Sequence, residues 1–224
     1  MNLKLIKITF ASVLLYVAFA AIAEETQEKQ LTLSSADVSA LNIDAGAGKL
    51  QVEGKEGATQ ISVEAIIGSG DVSDVEYTLT LEKRGNTAIL ISNIDSRWYS
   101  NAYINLFVTM PSNMALDITD TSGSMQVKNI QQSLNINDGS GSMDIDNIGG
   151  DVDIEDGSGK ITLANIDGDV TIKDGSGSVS IEQVRGHVSV DDGSGSIRVD
   201  TAKSFKLIDD GSGSVTLANI EDKH

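Results

Sequence analysis

A period of 18 residues runs through the second half of the chain and limits its fold more than any other feature. A five-residue segment, Asp-Gly-Ser-Gly-Ser or a close variant, begins six times at a constant spacing of 18 residues. Six copies at one spacing indicate a repeat architecture in which each repeat is one structural unit. The segments begin at Asp120, Asp138, Asp156, Asp174, Asp192 and Asp210.

Apolar residues alternate with polar residues inside each repeat. Counted from the aspartate as position one, positions six and eight are apolar, as in Ile161 and Leu163, and so are positions fifteen and seventeen, as in Val170 and Ile172. A spacing of two is typical of β-strands. One coil alone cannot offset ~1.5 kcal/mol of conformational entropy for each ordered residue, so the coils must stack. The sequence predicts an all-β fold, a parallel β-helix (β-solenoid) with 18-residue coils.

Stacking places equal positions of successive repeats above one another. Position ten is an amide in most repeats, as in Asn147 and Asn165, which predicts a ladder of amides that hydrogen-bond from coil to coil. Position thirteen is glycine in the central repeats, at Gly150, Gly168 and Gly186. We expect these glycines to occupy a corner with positive φ.

Residues 24–119 are less regular and predict a β-rich capping region before the regular solenoid of residues 120–224. The stretch Leu41–Val52 aligns without gaps on Leu134–Ile145 and indicates one divergent coil. In the repeat from Asp192, the pattern requires an apolar residue at position 206, but the apolar residues are its neighbours Phe205 and Leu207. This displacement predicts a local bulge. Further strands, antiparallel or mixed, are predicted at Gln60–Ile66, Glu76–Lys83, Thr87–Asn93 and Tyr103–Met110.

The N-terminus has the pattern of a cleaved signal peptide. Lys4 and Lys7 precede an uncharged apolar run from Ile8 to Ala23, which ends in small residues before Glu24. This run is shorter than the ~20 apolar residues that cross a bilayer, so cleavage is favoured over an uncleaved anchor. We expect residues 1–23 to be removed, with no membrane span in the remaining chain. The predicted location is the periplasm, the extracellular space or the cell surface.

Composition excludes several classes of function. The formal net charge of −17 leaves no basic surface for nucleic acid. The absence of cysteine excludes a disulfide framework, a cysteine-ligated zinc site and a thiol nucleophile. No nucleotide-binding, metalloprotease or serine-hydrolase motif is present, and the carboxylates are repeated rather than paired. The sequence therefore predicts a protein that is not an enzyme.

The repeated aspartates are the first candidate site. Each carboxylate follows a strand and precedes a Gly-Ser-Gly turn, so it can accept backbone N–H groups of that turn. The alternative is a calcium ion between stacked carboxylates, since calcium prefers several oxygen ligands. The candidate calcium ligands are Asp138, Asp156, Asp174, Asp192 and Asp210. Their arrangement departs from that of the calcium-binding nonapeptide repeat.

The second candidate site is a cluster of aromatic residues in the capping region. Trp98, Tyr99 and Tyr103 lie close together in a chain that is only 4% aromatic. Aromatic side chains are enriched at recognition surfaces. We interpret the three residues as a candidate binding surface for a partner.

The signal peptide, the β-rich stretch ending in Leu-Phe-Val-Thr-Met-Pro111 and the Ser-Gly-Ser coils together resemble a bacterial adhesin family of unknown function, with head-GIN adhesin-like domains as relatives. The resemblance extends from Leu31 to Ile220. It implies a right-handed β-helix and an adhesin-like role, and it assigns no functional residues.

The function expected from the sequence is therefore a secreted non-catalytic binding module for a glycan or an envelope or surface protein. A periplasmic scaffold, stabilised by calcium, is the alternative, and a polysaccharide-active β-helix enzyme ranks below both. Self-association through the ends of the coil stack is a further hypothesis.

Overall fold

A computed structural model describes residues 26–68, 75–94 and 102–222, and all regular secondary structure in these ranges is β. The predicted signal peptide lies outside the described residues. The strands are β1 (Thr26–Ser34), β2 (Ala40–Lys55), β3 (Gln60–Gly68), β4 (Tyr77–Arg84), β5 (Thr87–Ile94), β6 (Tyr103–Pro111), β7 (Ala115–Ile130), β8 (Leu134–Asp138), β9 (Gly141–Ile148), β10 (Val152–Asp156), β11 (Gly159–Ile166), β12 (Val170–Asp174), β13 (Gly177–Asp192), β14 (Gly195–Asp210) and β15 (Gly213–Asp222).

The repeats form a stack of parallel coils, as predicted. One face is built by β8, β10, β12 and the second halves of β13 and β14. The other face is built by β9, β11, the first halves of β13 and β14, and β15. Residues 18 positions apart are partners, so Ile154 lies beside Ile172 and Leu163 beside Ile181. The fold class predicted from the period, an all-β parallel solenoid, is confirmed.

Alternating side chains of both faces form one core that extends along the stack. Ile145, Ile154, Leu163, Ile172 and Ile181 are each 0% exposed. Their neighbours in sequence point outward and are partly or fully exposed. Because each coil presents a similar apolar set to the next, burial is completed by stacking rather than inside any one coil.

The N-terminal region continues the stack and then covers it. Strand β2 runs parallel to β7 with Leu41 beside Leu116, so the divergent coil predicted at Leu41–Val52 lies in the stack. On the opposite side, β2 pairs in parallel with β5 and β6. Antiparallel strands then pair with these, β4 on β5, β3 on β6 and β1 on β3. The four further strands expected in this region are confirmed.

The prediction of positive φ at Gly150, Gly168 and Gly186 is wrong. These glycines are required instead by the close approach of stacked backbones, since a Cβ at Gly150 would lie 2.6 Å from the carbonyl carbon of Gln132. Positive φ occurs at position four, as at Gly159 with 151°, and at position ten, as at Asn147 with 60°.

The bulge predicted in the repeat from Asp192 is present. Strand β14 pairs with β13 through two register shifts, so that Val188 lies beside Phe205 and Val190 beside Leu207. Between the two register shifts, paired residues are therefore one position closer in sequence than paired residues of the other coils. The shift packs Phe205 partly against the core, while Leu207 stays exposed at this end of the stack, as does Lys206.

Candidate functional site

The repeated aspartates form a column inside the stack. Each continues the inward alternation of the preceding strand, and in-register pairing places Asp138, Asp156 and Asp174 in successive coils about 4.8 Å apart along the stack. The column is buried through most of its length, with Asp174 3% and Asp192 1% exposed. Its carboxyl groups therefore lie away from solvent at the point where each coil turns.

One oxygen of each buried carboxyl group accepts a hydrogen bond from the turn that follows. The N–H of Ser176 donates to Oδ1 of Asp174 over 3.1 Å, and the N–H of Ser194 donates to Oδ1 of Asp192 over 3.0 Å. The same bond is formed in the coils of Asp138 and Asp156. These bonds confirm that the aspartates accept backbone N–H groups of the Gly-Ser-Gly turn.

The second carboxyl oxygen is in a different situation. Oδ2 of Asp156, Asp174 and Asp192 is buried and has no hydrogen-bond partner among the described residues. A buried carboxylate oxygen without a donor is costly, so the neutral carboxyl group is favoured. Burial raises the pKa of Asp174 to about 6. Burial, with the nearby charge of Asp138, raises the pKa of Asp120 to about 7.

Burial therefore favours the protonated form of the carboxyl groups in the column. Burial also raises the pKa of Asp138, Asp156 and Asp192. Within the described ranges, no group of three or more His, Cys, Asp or Glu side chains is arranged to hold a metal ion. The geometry shows turn capping by these side chains, and the calcium hypothesis remains a prediction from the sequence alone.

The aromatic candidate site is described only in part. Trp98 and Tyr99 lie outside the described residues. Tyr103 is the first residue of β6, where it is half-buried and its ring lies over Gly68. The structure thus places Tyr103 against the backbone of β3, and the aromatic binding surface stays a prediction.

A groove of about 700 Å³ runs along the corner that position ten forms. Its size falls in the range of small-ligand sites. The left-handed backbone at position ten turns the chain sharply and leaves the amide side chains on the surface. The groove is lined by Asn129, Asp146, Asn147, Asn165, Asp167, Gln183, Val184, Arg185 and Thr201.

Polar contacts within the groove orient several of its side chains. Nδ2 of Asn147 donates to Oδ1 of Asn129 over 2.8 Å, and Nδ2 of Asn165 donates to Oδ1 of Asp146 over 2.7 Å. Arg185 forms an exposed ion pair of 2.8 Å with Asp167. The groove thus presents amides, carboxylates and one guanidinium group side by side.

The sequence predicts the amides of this groove, but as a structural ladder rather than as part of a binding site. The expected amide ladder has one bond of the predicted kind, from Asn147 to Asn129, whereas Asn165 turns to an acidic neighbour. A single sequence does not distinguish Arg185 from an ordinary solvated corner residue. The available signal was the amide at position ten, because asparagine tolerates the left-handed conformation that turns a corner.

Comparison with solved structures finds similar chains. A putative adhesin from Bacteroides fragilis NCTC 9343 has 16% sequence identity and a TM-score of 0.51, and the match covers 88% of this chain and 98% of that chain. A putative cell adhesion protein from Clostridium sporogenes ATCC 15579 has 11% identity and a TM-score of 0.45, covering 87% and 99% of the two chains. The likeness to the Bacteroides structure shows a shared fold.

Sequence comparisons add no family. No protein-family model and no curated protein matches the chain. The part of the chain that the structure describes contains no helix long and apolar enough to cross a membrane.

Proposed function

We propose that the protein is a secreted, non-catalytic binding module that takes an extended glycan along the position-ten groove. The observation that carries the proposal is the row of surface amides, at Asn129, Asn147, Asn165 and Gln183, on successive coils. Amides both donate and accept hydrogen bonds, as the hydroxyl groups of sugars do. The Bacteroides structure that shares this fold is named a putative adhesin, and that name is consistent with a binding role.

The charges favour an uncharged glycan over an acidic one. The groove holds Asp146 and Asp167 against one arginine, Arg185, whose guanidinium group is already paired. The whole chain carries a net charge of −17. A uronate polymer would meet like charge, whereas neutral or N-acetylated sugars would not.

The proposal is tested by calorimetric titration of the purified chain with three probes: oligosaccharides of glucose, of N-acetylglucosamine and of galacturonate. We expect one of the first two to bind and galacturonate to bind more weakly. The double variant Asn147→Gly, Asn165→Gly removes two amides and keeps the left-handed backbone accessible, since glycine adopts it freely. It should weaken binding by at least about tenfold, the effect of ~1.4 kcal/mol.

Two arginines give a matched comparison for the same experiment. Arg185→Ala changes the groove, whereas Arg198→Ala changes an exposed arginine that does not line it. Both lie in exposed ion pairs, so neither substitution should alter folding measurably. Binding that is lost in the first variant and kept in the second supports the groove. A chain that binds none of the three probes, or groove variants that bind unchanged, would contradict the proposal.

Secretion is part of the same proposal and has its own test. The mature protein should begin at Glu24, since the apolar run before it has the length and small-residue end of a cleaved signal. Mass measurement of the protein recovered from the cell envelope checks this expectation. Proteolysis of intact cells, compared with permeabilised cells, then separates surface exposure from a periplasmic location. Recovery of the chain with residues 1–23 still attached would refute cleavage.

A further inference from the structure

The last described coil leaves an open β-strand edge. Strand β15 pairs with β14 on one side, and no described strand pairs with its other side. An edge of this kind offers unpaired N–H and C=O groups to another strand. The inward residues Val215 and Leu217 continue the core up to this edge, and Leu217 is 43% exposed.

Exposed apolar side chains are concentrated at the same end. The large hydrophobic residues that are exposed in the described part of the chain are Leu207, Ile208 and Leu217. A cleft of about 620 Å³ opens there, with Phe205, Leu207, Val215 and Leu217 in its lining. Apolar surface gathered in one place is typical of an interaction site rather than of random exposure.

The edge lacks the charges that protect such strands. Charged residues on an edge strand discourage pairing with another chain. Residues 211–220 contain no charged residue, whereas the corresponding ten residues of each of the five preceding repeats contain one or two. The contrast is clearest with residues 157–166, which share the sequence Thr-Leu-Ala-Asn-Ile but carry Lys160 where the last coil has Ser214. Only Glu221 and Asp222 bring charge to the end of β15.

The other open edges among the described strands are charged. Strand β1 carries Glu28 and Lys29, and β4 ends in Glu82, Lys83 and Arg84. The part of β14 that β15 does not cover contains Lys206, Asp209 and Asp210. The one edge with the same uncharged character as β15 is therefore the β15 edge of a second copy of this chain.

We infer that two copies associate through their β15 edges, with Gly213–Ile220 of one copy running antiparallel to the same segment of the other. A two-fold axis relates the copies, so the contact is closed and does not propagate. Neutral residues then face each other at the strand contact, although each chain has a net charge of −17. Pairing of β15 with β1 or β4 of another copy would instead join unlike ends and build open filaments.

Sedimentation velocity over a range of protein concentrations tests the inference. We expect a reversible monomer–dimer equilibrium and no larger species. Ser214→Lys places on the edge the charge that the related coil has at Lys160, and it should raise the dimer dissociation constant at least tenfold. The matched control Ser178→Lys changes the same repeat position in an interior strand and should leave the dissociation constant within twofold.

Thermal melting of both variants, at concentrations where they are monomeric, checks that each one is folded. We expect both to fold, since position five already accepts a lysine in one coil. Three results would overturn the inference: a chain that stays monomeric at every concentration, a series of larger oligomers, or a dimer that Ser214→Lys does not weaken.

Discussion

At the scale of single residues, the buried aspartates link the turn to the interior. Each keeps one oxygen on a backbone N–H of its turn, and the second oxygen of Asp156, Asp174 and Asp192 has no donor among the described residues. Besides burial, two other carboxyl groups raise the pKa of Asp192, those of Asp210 in the next coil and of Asp191 in the same strand. The column is therefore electrostatically self-repelling when it loses its protons.

The stability of the protein should fall as the pH rises from about 4 to 7. The folded state holds the pKa of Asp174 at about 6 against 3.8 for an unperturbed carboxyl group, so over this interval the folded chain binds more protons than the unfolded chain. Below pH 4 the penalty is absent, because both states are protonated. Thermal melting across this pH range should show the decline.

Asp174→Asn isolates the effect at one position. The amide oxygen can still accept the N–H of Ser176, and no charge is buried above pH 6. The variant should be more stable than the parent at pH 8 by roughly 1–3 kcal/mol, since one pKa unit corresponds to ~1.4 kcal/mol. Asp153→Asn, on an exposed outward position of the same sheet, is the matched control and should keep the parent's pH profile. Identical profiles for all three proteins would contradict the explanation.

At the scale of elements, the coil is the unit that the chain repeats. Stacked coils contact only their neighbours, so stability is approximately a sum over coils and over the contacts between them. Removal of residues 157–174 joins Asp156 to Gly175 and recreates the Asp-Gly-Ser-Gly turn. The structure predicts that this shortened chain folds into the same solenoid with one coil fewer.

The deletion should preserve the β-sheet circular dichroism spectrum and lower the Tm by roughly 2–8 °C, the range for a loss of ~1–2 kcal/mol in a chain of this size. Removal of residues 157–165, half a repeat, is the control. It joins Asp156 to Ile166 and moves inward residues of the following strands out of register, so it should prevent cooperative melting. Equal behaviour of the two deletions would show that the coil is not the unit of folding.

The elements were largely predictable because period and alternation both depend on burial. A shift of one residue would expose Ile154 and Ile172, so the register of these strands follows from the sequence. The role of each glycine was not predictable in the same way. At both Gly150 and Gly159 a Cβ would overlap the backbone of the adjacent coil, and Gly159 also has a positive φ. The sequence shows glycine in both cases and so does not separate the two causes.

The candidate sites were predictable only in part. The acceptor role of Asp174 follows from local turn chemistry, whereas its burial follows from continuing the alternation of Val170 and Ile172 by two more residues. The groove required the three-dimensional corner, because Asp146, Asp167 and Arg185 lie in three different repeats. A single sequence shows such residues only as ordinary surface polar groups.

At the scale of the whole molecule, the two ends of the stack differ. Strands β1, β3 and β4 cover the N-terminal end with antiparallel pairing, whereas β15 ends the described stack with an open edge. The position-ten groove lies along the side of the stack, on the repeats between these ends. A ligand in the groove and a second copy at the β15 edge would therefore use separate surfaces.

The glycines of position four, such as Gly159, have a consequence for how the sequence can change. A side chain at Gly159 would overlap the backbone of Gly141 in the adjacent coil, and the same holds at Gly177 and Gly195. Almost any missense change in these codons is therefore disruptive, whereas duplication or loss of a whole 18-residue unit keeps every contact of this kind. The gene segment that encodes one coil, rather than the single codon, is the unit in which this chain can vary its length.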